Sequence, residues 1–63
     1  MSDAQFVYKL ETEIHDRRTA YPVDIALYIN AKYSKEDIQL LKDIRKTSSN
    51  LFGDNLLIAV ELL

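Results

Sequence analysis

The chain contains no cysteine, and it has only one histidine, one glycine and one proline among its 63 residues. Without cysteine it forms neither a disulfide nor a thiolate zinc site, and a single histidine argues against a self-contained histidine-based metal site. One glycine also excludes a glycine-rich phosphate-binding loop. The sequence therefore predicts no cofactor, no metal and no enzymatic activity.

The length of the chain predicts one domain, residues 1–63, with a thin margin of stability. A domain of this size buries only about 60% of the surface that its unfolded chain exposes. Small domains usually gain further stability from disulfides, a metal or a partner subunit. Only a partner subunit is open to this chain, whose residues are 48% apolar. We therefore expect self-association, most simply as a homodimer.

Charge and hydropathy predict a cytoplasmic protein that does not enter membranes. The first residues lack the basic and apolar regions of a signal peptide. The longest unbroken apolar run is Leu56 to Val60, far short of the roughly 20 residues that span a bilayer. The net charge of −2 provides no overall attraction to nucleic acid.

Three segments have the residue pattern of β-strands. Residues 5–15 and 22–30 alternate between two faces and are rich in β-branched and aromatic side chains, which suit a pleated sheet. Residues 55–63 are apolar on both faces except at Glu61, as in a strand that is covered on both sides.

A helix is predicted over residues 35–47, between the second and third strands. Ser34 is a favourable N-cap for this helix. Ile38, Leu41 and Ile44 recur at helical spacing and form one apolar stripe that faces a core.

The order strand, strand, helix, strand predicts an α+β fold. In this ββαβ domain an antiparallel hairpin turns at Asp16 to Ala20, and one helix packs on a three-stranded sheet. An all-α fold is the alternative, supported by the possible capping box of Ser2 and Gln5. It consists of four short helices, at residues 3–19, 22–33, 35–47 and 54–63.

The expected sheet has one face that its single helix does not cover, which leaves apolar and aromatic surface for a partner. Tyrosines are enriched at such interfaces, and two arginines in the hairpin loop add charged specificity elements. The residues expected to contact a partner are Tyr8, Arg17, Arg18, Tyr28, Phe52 and Leu57. Phe52 has a second interpretation, in which it closes the edge of the core together with Leu51.

These features predict a non-enzymatic protein-interaction module, such as a small inhibitor, adaptor or antitoxin-like regulator that self-associates and binds a larger protein. The alternative is a small DNA-binding transcriptional regulator that uses the 35–47 helix. Its basic stripe would contact phosphates without reading sequence. The stripe consists of Lys35, Gln39, Lys42 and Lys46. The pair His15-Asp16 is interpreted as an ordinary part of the turn.

Overall fold

The computed structural model describes residues 2–18 and 21–63, which form an all-α fold. The helices are α1 (Asp3–Asp16), α2 (Pro22–Lys32), α3 (Lys35–Ser48) and α4 (Asp54–Glu61), with a short 3-10 helix (Ser49–Leu51) before α4. Neither described range contains a strand. The predicted α+β fold is therefore wrong, and the four-helix alternative matches the order and approximate bounds of the helices.

Residues 5–15, predicted as the first strand, lie within α1, which begins at a capping box. The Ser2 hydroxyl oxygen accepts a hydrogen bond from the Gln5 backbone N–H at 3.2 Å, and the Gln5 side chain accepts one from the Ser2 backbone N–H at 3.3 Å. These two bonds satisfy backbone donors that have no partner within the helix. Local capping therefore favours helix at the first residues of the segment.

Burial explains why α1 is a helix in spite of its alternating sequence. Phe6 and Val7 are both buried, although neighbouring residues of a strand point to opposite faces. Leu10 and Ile14 complete the buried set at the spacing of successive helical turns. The helix thus hides four apolar side chains on one face, whereas a one-sided strand would expose either Phe6 or Val7.

The second predicted strand, residues 22–30, lies in α2. Pro22 occupies the first turn, where its missing N–H costs the helix no hydrogen bond. Ile25 and Ile29 are buried, but Leu27, which would share their face in a strand, is 62% exposed. The period of burial in this segment is therefore that of a helix.

The last predicted strand, residues 55–63, is also helical. Leu56, Ala59 and Val60 face the core, whereas Ile58 and Leu62 remain about half exposed. The apolar residues that would cover both faces of a strand therefore fall into two groups in the helix: one group is buried, and the other is partly exposed on the side of the helix.

The prediction of a helix over residues 35–47 is confirmed, since α3 covers this range and one further residue. The Ser34 side chain accepts a hydrogen bond from the Asp37 backbone N–H at 3.2 Å and caps the helix as expected. Only Tyr33 and Ser34 separate α2 from α3.

One apolar core joins the four helices, and α2 packs most extensively against α4. The buried side chains of the described residues are all apolar. Within residues 2–18 and 21–63, no helix has the length and apolar character needed to cross a membrane. The loop predicted at Asp16 to Ala20 contains Arg17 and Arg18 after the end of α1, whereas Thr19 and Ala20 lie outside the described residues.

Candidate interaction surfaces

A polar cluster joins α1 to α2. One oxygen of the Glu13 carboxylate, Oε1, accepts hydrogen bonds from the hydroxyls of Tyr28, at 2.7 Å, and Tyr33, at 2.9 Å. The guanidinium carbon of Arg17 lies 4.7 Å from the centre of the Tyr28 ring, within the range of a cation–π contact. Phe6 meets the Tyr33 ring edge to face, with the ring centres 6.1 Å apart. This cluster fixes the position of α1 along α2.

The cluster raises the pKa of both tyrosine hydroxyls. The hydrogen bond to Glu13 raises the pKa of Tyr28, with the neighbouring negative charge acting in the same direction. Burial raises the pKa of Tyr33, and its hydrogen bond to Glu13 adds to the shift. Tyrosines are already hydrogen-bond donors at neutral pH, and the raised pKa values extend this protonated state to more alkaline pH.

The residues expected to contact a partner are distributed over several parts of the fold. Tyr8 is 64% exposed on the outward face of α1, and Arg18 is exposed after the end of that helix. The structure brings Arg17 and the half-buried Tyr28 together. Leu57 is half-buried beside the core.

Phe52 lies in the core, with only 8% of its surface exposed, and half-buried Leu51 packs against the same core. This placement agrees with the interpretation in which both residues close the core edge. Phe52 follows the 3-10 helix in the short connection from α3 to α4. Because its ring is buried in the core, Phe52 does not form part of the candidate surfaces.

An exposed apolar surface, which the sequence patterns did not reveal, lies along α2 and α4. Its large side chains are separated by one helical turn on each helix, and each is between 46% and 62% exposed. We call this surface the α2–α4 face, defined by Val23, Leu27, Ile58 and Leu62. The i, i+4 spacing on each helix is the signal from which it could have been found.

The two halves of the α2–α4 face lie on the two helices that pack most extensively against each other. The Tyr28 side of α2 is covered by α1, and the Glu61 side of α4 carries an ion pair to α3. Ala26 on α2 and Ala59 on α4 are both buried in the common core, and their small side chains suit close packing of helices. The four exposed apolar residues lie on these two helices, which pack against each other.

A second surface, the basic groove, lies between α3 and α4. It is lined by Gln39, Lys42, Arg45, Lys46, Val60, Glu61 and Leu63. Arg45 Nη2 lies 2.8 Å from Glu61 Oε1, and this ion pair spans the groove between the two helices. The Nε atom of Arg45 is buried and has no hydrogen-bond partner, so the guanidinium is only partly satisfied within the chain.

Two acidic side chains near His15, those of Glu11 and Glu13, form hydrogen bonds with different parts of the fold. Glu11 accepts a hydrogen bond from the Gly53 backbone N–H at the start of α4, whereas Glu13 binds the two tyrosines. Among the described residues, no group of three or more histidine, aspartate or glutamate side chains is placed to hold a metal ion.

Comparison with protein-family models, with curated proteins and with solved structures found no match to this chain. Its function is therefore inferred from the two surfaces. The α2–α4 face is apolar and carries no charge, whereas the lining of the basic groove combines three cationic side chains with Glu61 and two apolar residues.

Proposed function

We propose that this chain is a non-enzymatic protein-interaction module that pairs with a second copy of itself and binds a larger protein. Small inhibitors, adaptors and antitoxin-like regulators act in this way. The observation that carries the proposal is the α2–α4 face, in which large apolar side chains remain about half exposed. The absence of cysteine agrees with the reducing cytoplasm, where we place the module.

The second copy is the occupant that best fits the α2–α4 face. A twofold interface brings the same patch of both subunits together, so a charged patch would meet its own charge. The four residues that define this face are uncharged and can meet themselves without repulsion. Burying them would also add apolar contact to a 63-residue chain, whose own core is small.

Sedimentation equilibrium of the full chain tests this pairing. We expect the wild-type protein to approach twice its 7.3 kDa mass as its concentration rises. The double variant Leu27→Gln with Ile58→Gln should remain monomeric, because each substitution places an amide in the centre of the interface. Leu40→Gln is the control, since Leu40 is exposed on α3, away from this face.

Circular dichroism shows whether each variant keeps its helices. Loss of pairing only in the variant of the α2–α4 face, with helicity retained, is the expected result. A wild-type chain that stays monomeric throughout, or a Leu40→Gln variant that dissociates equally, would refute pairing through this face.

A DNA-binding regulator is the second candidate function. It is favoured by the α2–α3 pair, whose connection is only two residues long, and by the lysines along one flank of α3. Against it, Glu36 and Asp43 are exposed on the same helix, where they would approach the phosphates of a duplex. A direct comparison of binding to a DNA duplex and to an acidic peptide separates the two candidates.

A further inference from the structure

We propose that the basic groove between α3 and α4 binds an acidic polypeptide segment that carries an apolar side chain among its carboxylates. This inference rests on the proposed function, and it names the chemistry of the larger protein. Three observations carry it: the local concentration of positive charge, the exposed terminal nitrogens of Arg45, and the apolar residues in the lining of the groove.

The positive charge of the groove contrasts with the chain as a whole. Lys42, Arg45 and Lys46 line the groove, while the net charge of the protein is −2. Lys35 extends the same flank of α3 by two helical turns, so the stripe is roughly 16 Å long. The length of this stripe matches an extended or helical peptide segment that contains a few acidic residues.

Arg45 provides a binding group that is already held in position. Glu61 engages one terminal nitrogen of the guanidinium, Nη2, at 2.8 Å, and the buried Nε has no partner. A guanidinium has five N–H donors, and one carboxylate at a single nitrogen leaves most of them unused. The Nε atom is buried beyond the reach of a partner, but the Arg45 side chain is 38% exposed. A carboxylate of the partner can therefore bind the remaining N–H groups of the terminal nitrogens and share Arg45 with Glu61.

The lining and the borders of the groove favour a polypeptide over nucleic acid. The apolar members of the lining are half-buried Leu63 and Val60, which is only 2% exposed, and they can contact an aliphatic side chain but have no role in phosphate binding. Glu36 and Asp43 on the other flank of α3, with Glu61 on α4, restrict the positive potential to a narrow strip. A duplex, whose phosphates approach from both sides, would meet these carboxylates.

Fluorescence anisotropy with labelled probes tests the groove. The probes are a peptide of alternating glutamate and leucine, an all-glutamate peptide of the same length, and a DNA duplex. We expect the wild-type protein to bind the mixed peptide most tightly, because only this probe offers both carboxylates and apolar side chains. Added salt should weaken the binding, since the contacts on the rim are ionic.

Two charge-reversal variants with the same net charge locate the binding site. Lys42→Glu with Lys46→Glu should weaken binding of the mixed peptide by about tenfold or more. Lys9→Glu with Lys32→Glu changes the total charge equally but lies on α1 and α2, and it should change the affinity by less than about threefold. Circular dichroism confirms that both variants remain helical.

A substitution that is expected to strengthen peptide binding complements the charge-reversal variants. Glu61→Gln removes the negative charge from the groove and frees the Arg45 guanidinium, so the mixed peptide should bind more tightly. Glu36→Gln is the matched control, because Glu36 makes no contact with Arg45 and lies outside the groove lining. Weaker peptide binding by Glu61→Gln would contradict the proposed role of Arg45.

The proposal is overturned if the wild-type protein binds neither peptide, or if it prefers the DNA duplex to both. It is also overturned if the Lys9 and Lys32 control loses as much affinity as the groove variant. Sedimentation distinguishes failure of the groove from failure of self-association. If the protein is monomeric but binds the mixed peptide, only the proposed self-association is refuted. If it is dimeric but does not bind the peptide, only the proposed binding site in the groove is refuted.

Discussion

Glu11 of α1 caps the start of α4, although the two helices are far apart in sequence. Its carboxylate oxygen Oε1 accepts a hydrogen bond from the Gly53 backbone N–H at 2.8 Å. Gly53 is the N-cap residue of α4 and has no side chain to cap the helix itself. A negative charge at this end is also favourable for the helix dipole. A β-carbon at Gly53 would lie only 3.1 Å from Glu11 Oε1, so a side chain here would require the carboxylate to shift by a few tenths of an ångström.

This relationship predicts that Glu11 and Gly53 are energetically coupled. Glu11→Ala should lower the free energy of unfolding by about 1 kcal/mol through loss of the cap. Gly53→Ala should also be destabilising, because its β-carbon displaces the carboxylate and alanine is a poor N-cap. In the Glu11→Ala background no carboxylate has to move, so the same change should cost about 0.5–1 kcal/mol less.

Urea unfolding of the four proteins in this double-mutant cycle measures the coupling. Glu36→Ala replaces Glu11→Ala in a parallel cycle, since Glu36 is exposed on α3. The changes in free energy of unfolding caused by Glu36→Ala and Gly53→Ala should be additive. If the changes caused by Glu11→Ala and Gly53→Ala were also additive, the Glu11 carboxylate would not cap α4 in solution.

The tyrosine cluster predicts a loss of stability at alkaline pH. The pKa values of Tyr28 and Tyr33 are raised in the folded protein, whereas an unfolded tyrosine titrates near about pH 10. The stabilising contribution is thus fully present below about pH 10 and is lost as the pH rises towards the folded-state pKa values. The urea midpoint should accordingly fall more steeply above about pH 10 than below it.

Replacing the two hydroxyls separates this effect from general alkaline unfolding. Tyr28→Phe with Tyr33→Phe should be less stable at neutral pH, because Glu13 loses both donors, and should show a smaller alkaline decline. Tyr8→Phe with Tyr21→Phe changes two largely exposed tyrosines and should retain the full decline. An equal decline in both double variants would contradict a special role for the cluster.

Arg18 adopts a left-handed backbone conformation just after α1, with φ of 56°. Its N–H bonds to the His15 carbonyl oxygen at 3.0 Å, as is common where a helix ends in this conformation. Glycine avoids the steric penalty there, so Arg18→Gly should raise the free energy of unfolding by about 0.5–1 kcal/mol. The neighbouring Arg17 has φ of −85°, and Arg17→Gly should be destabilising, because glycine loses more backbone freedom there and the cation–π contact with Tyr28 is removed. Thermal unfolding of both variants tests this contrast, and a lower melting temperature for Arg18→Gly would contradict it.

The sequence predicts α3 correctly because its signals all agree. Ser34 provides a cap, and the apolar residues recur only at helical spacing. In the other segments, the apolar residues fit both the two-residue period of a strand and the 3.6-residue period of a helix. In residues 5–15 both Phe6 and Val7 are apolar, and only tertiary packing decides whether one or both are buried. The capping box at Ser2 is a local signal that favours the helix over the strand.

The candidate surfaces were harder to predict, because they depend on contacts between distant residues. The pairing of Arg17 with Tyr28 was not expected, although both had been identified as contact residues. Nothing in the local sequence indicates that Glu61 reaches Arg45 or that Glu13 receives two tyrosine hydroxyls. The lysine stripe of α3 was visible from its spacing, but the groove beside it exists only because α4 packs there.

The neighbours Val7 and Tyr8 provide a direct test of the helical register of α1. In the strand pattern, Tyr8 shares a face with Phe6 and Leu10, and Val7 lies on the opposite side. In the helix, Val7 is 2% exposed and Tyr8 is 64% exposed. Val7→Ala should therefore cost roughly 1–3 kcal/mol through lost burial and the cavity that remains.

Tyr8→Ala should change the free energy of unfolding by less than about 0.5 kcal/mol, since it removes a side chain that mainly faces water. Urea unfolding monitored by circular dichroism gives both values, and a concentration well below any self-association keeps them specific to the monomer. The large tyrosine then matters less to the fold than the small valine beside it. If Tyr8→Ala lowered the free energy of unfolding more than Val7→Ala, the result would support a strand in this segment, because only a strand places Tyr8 in the core.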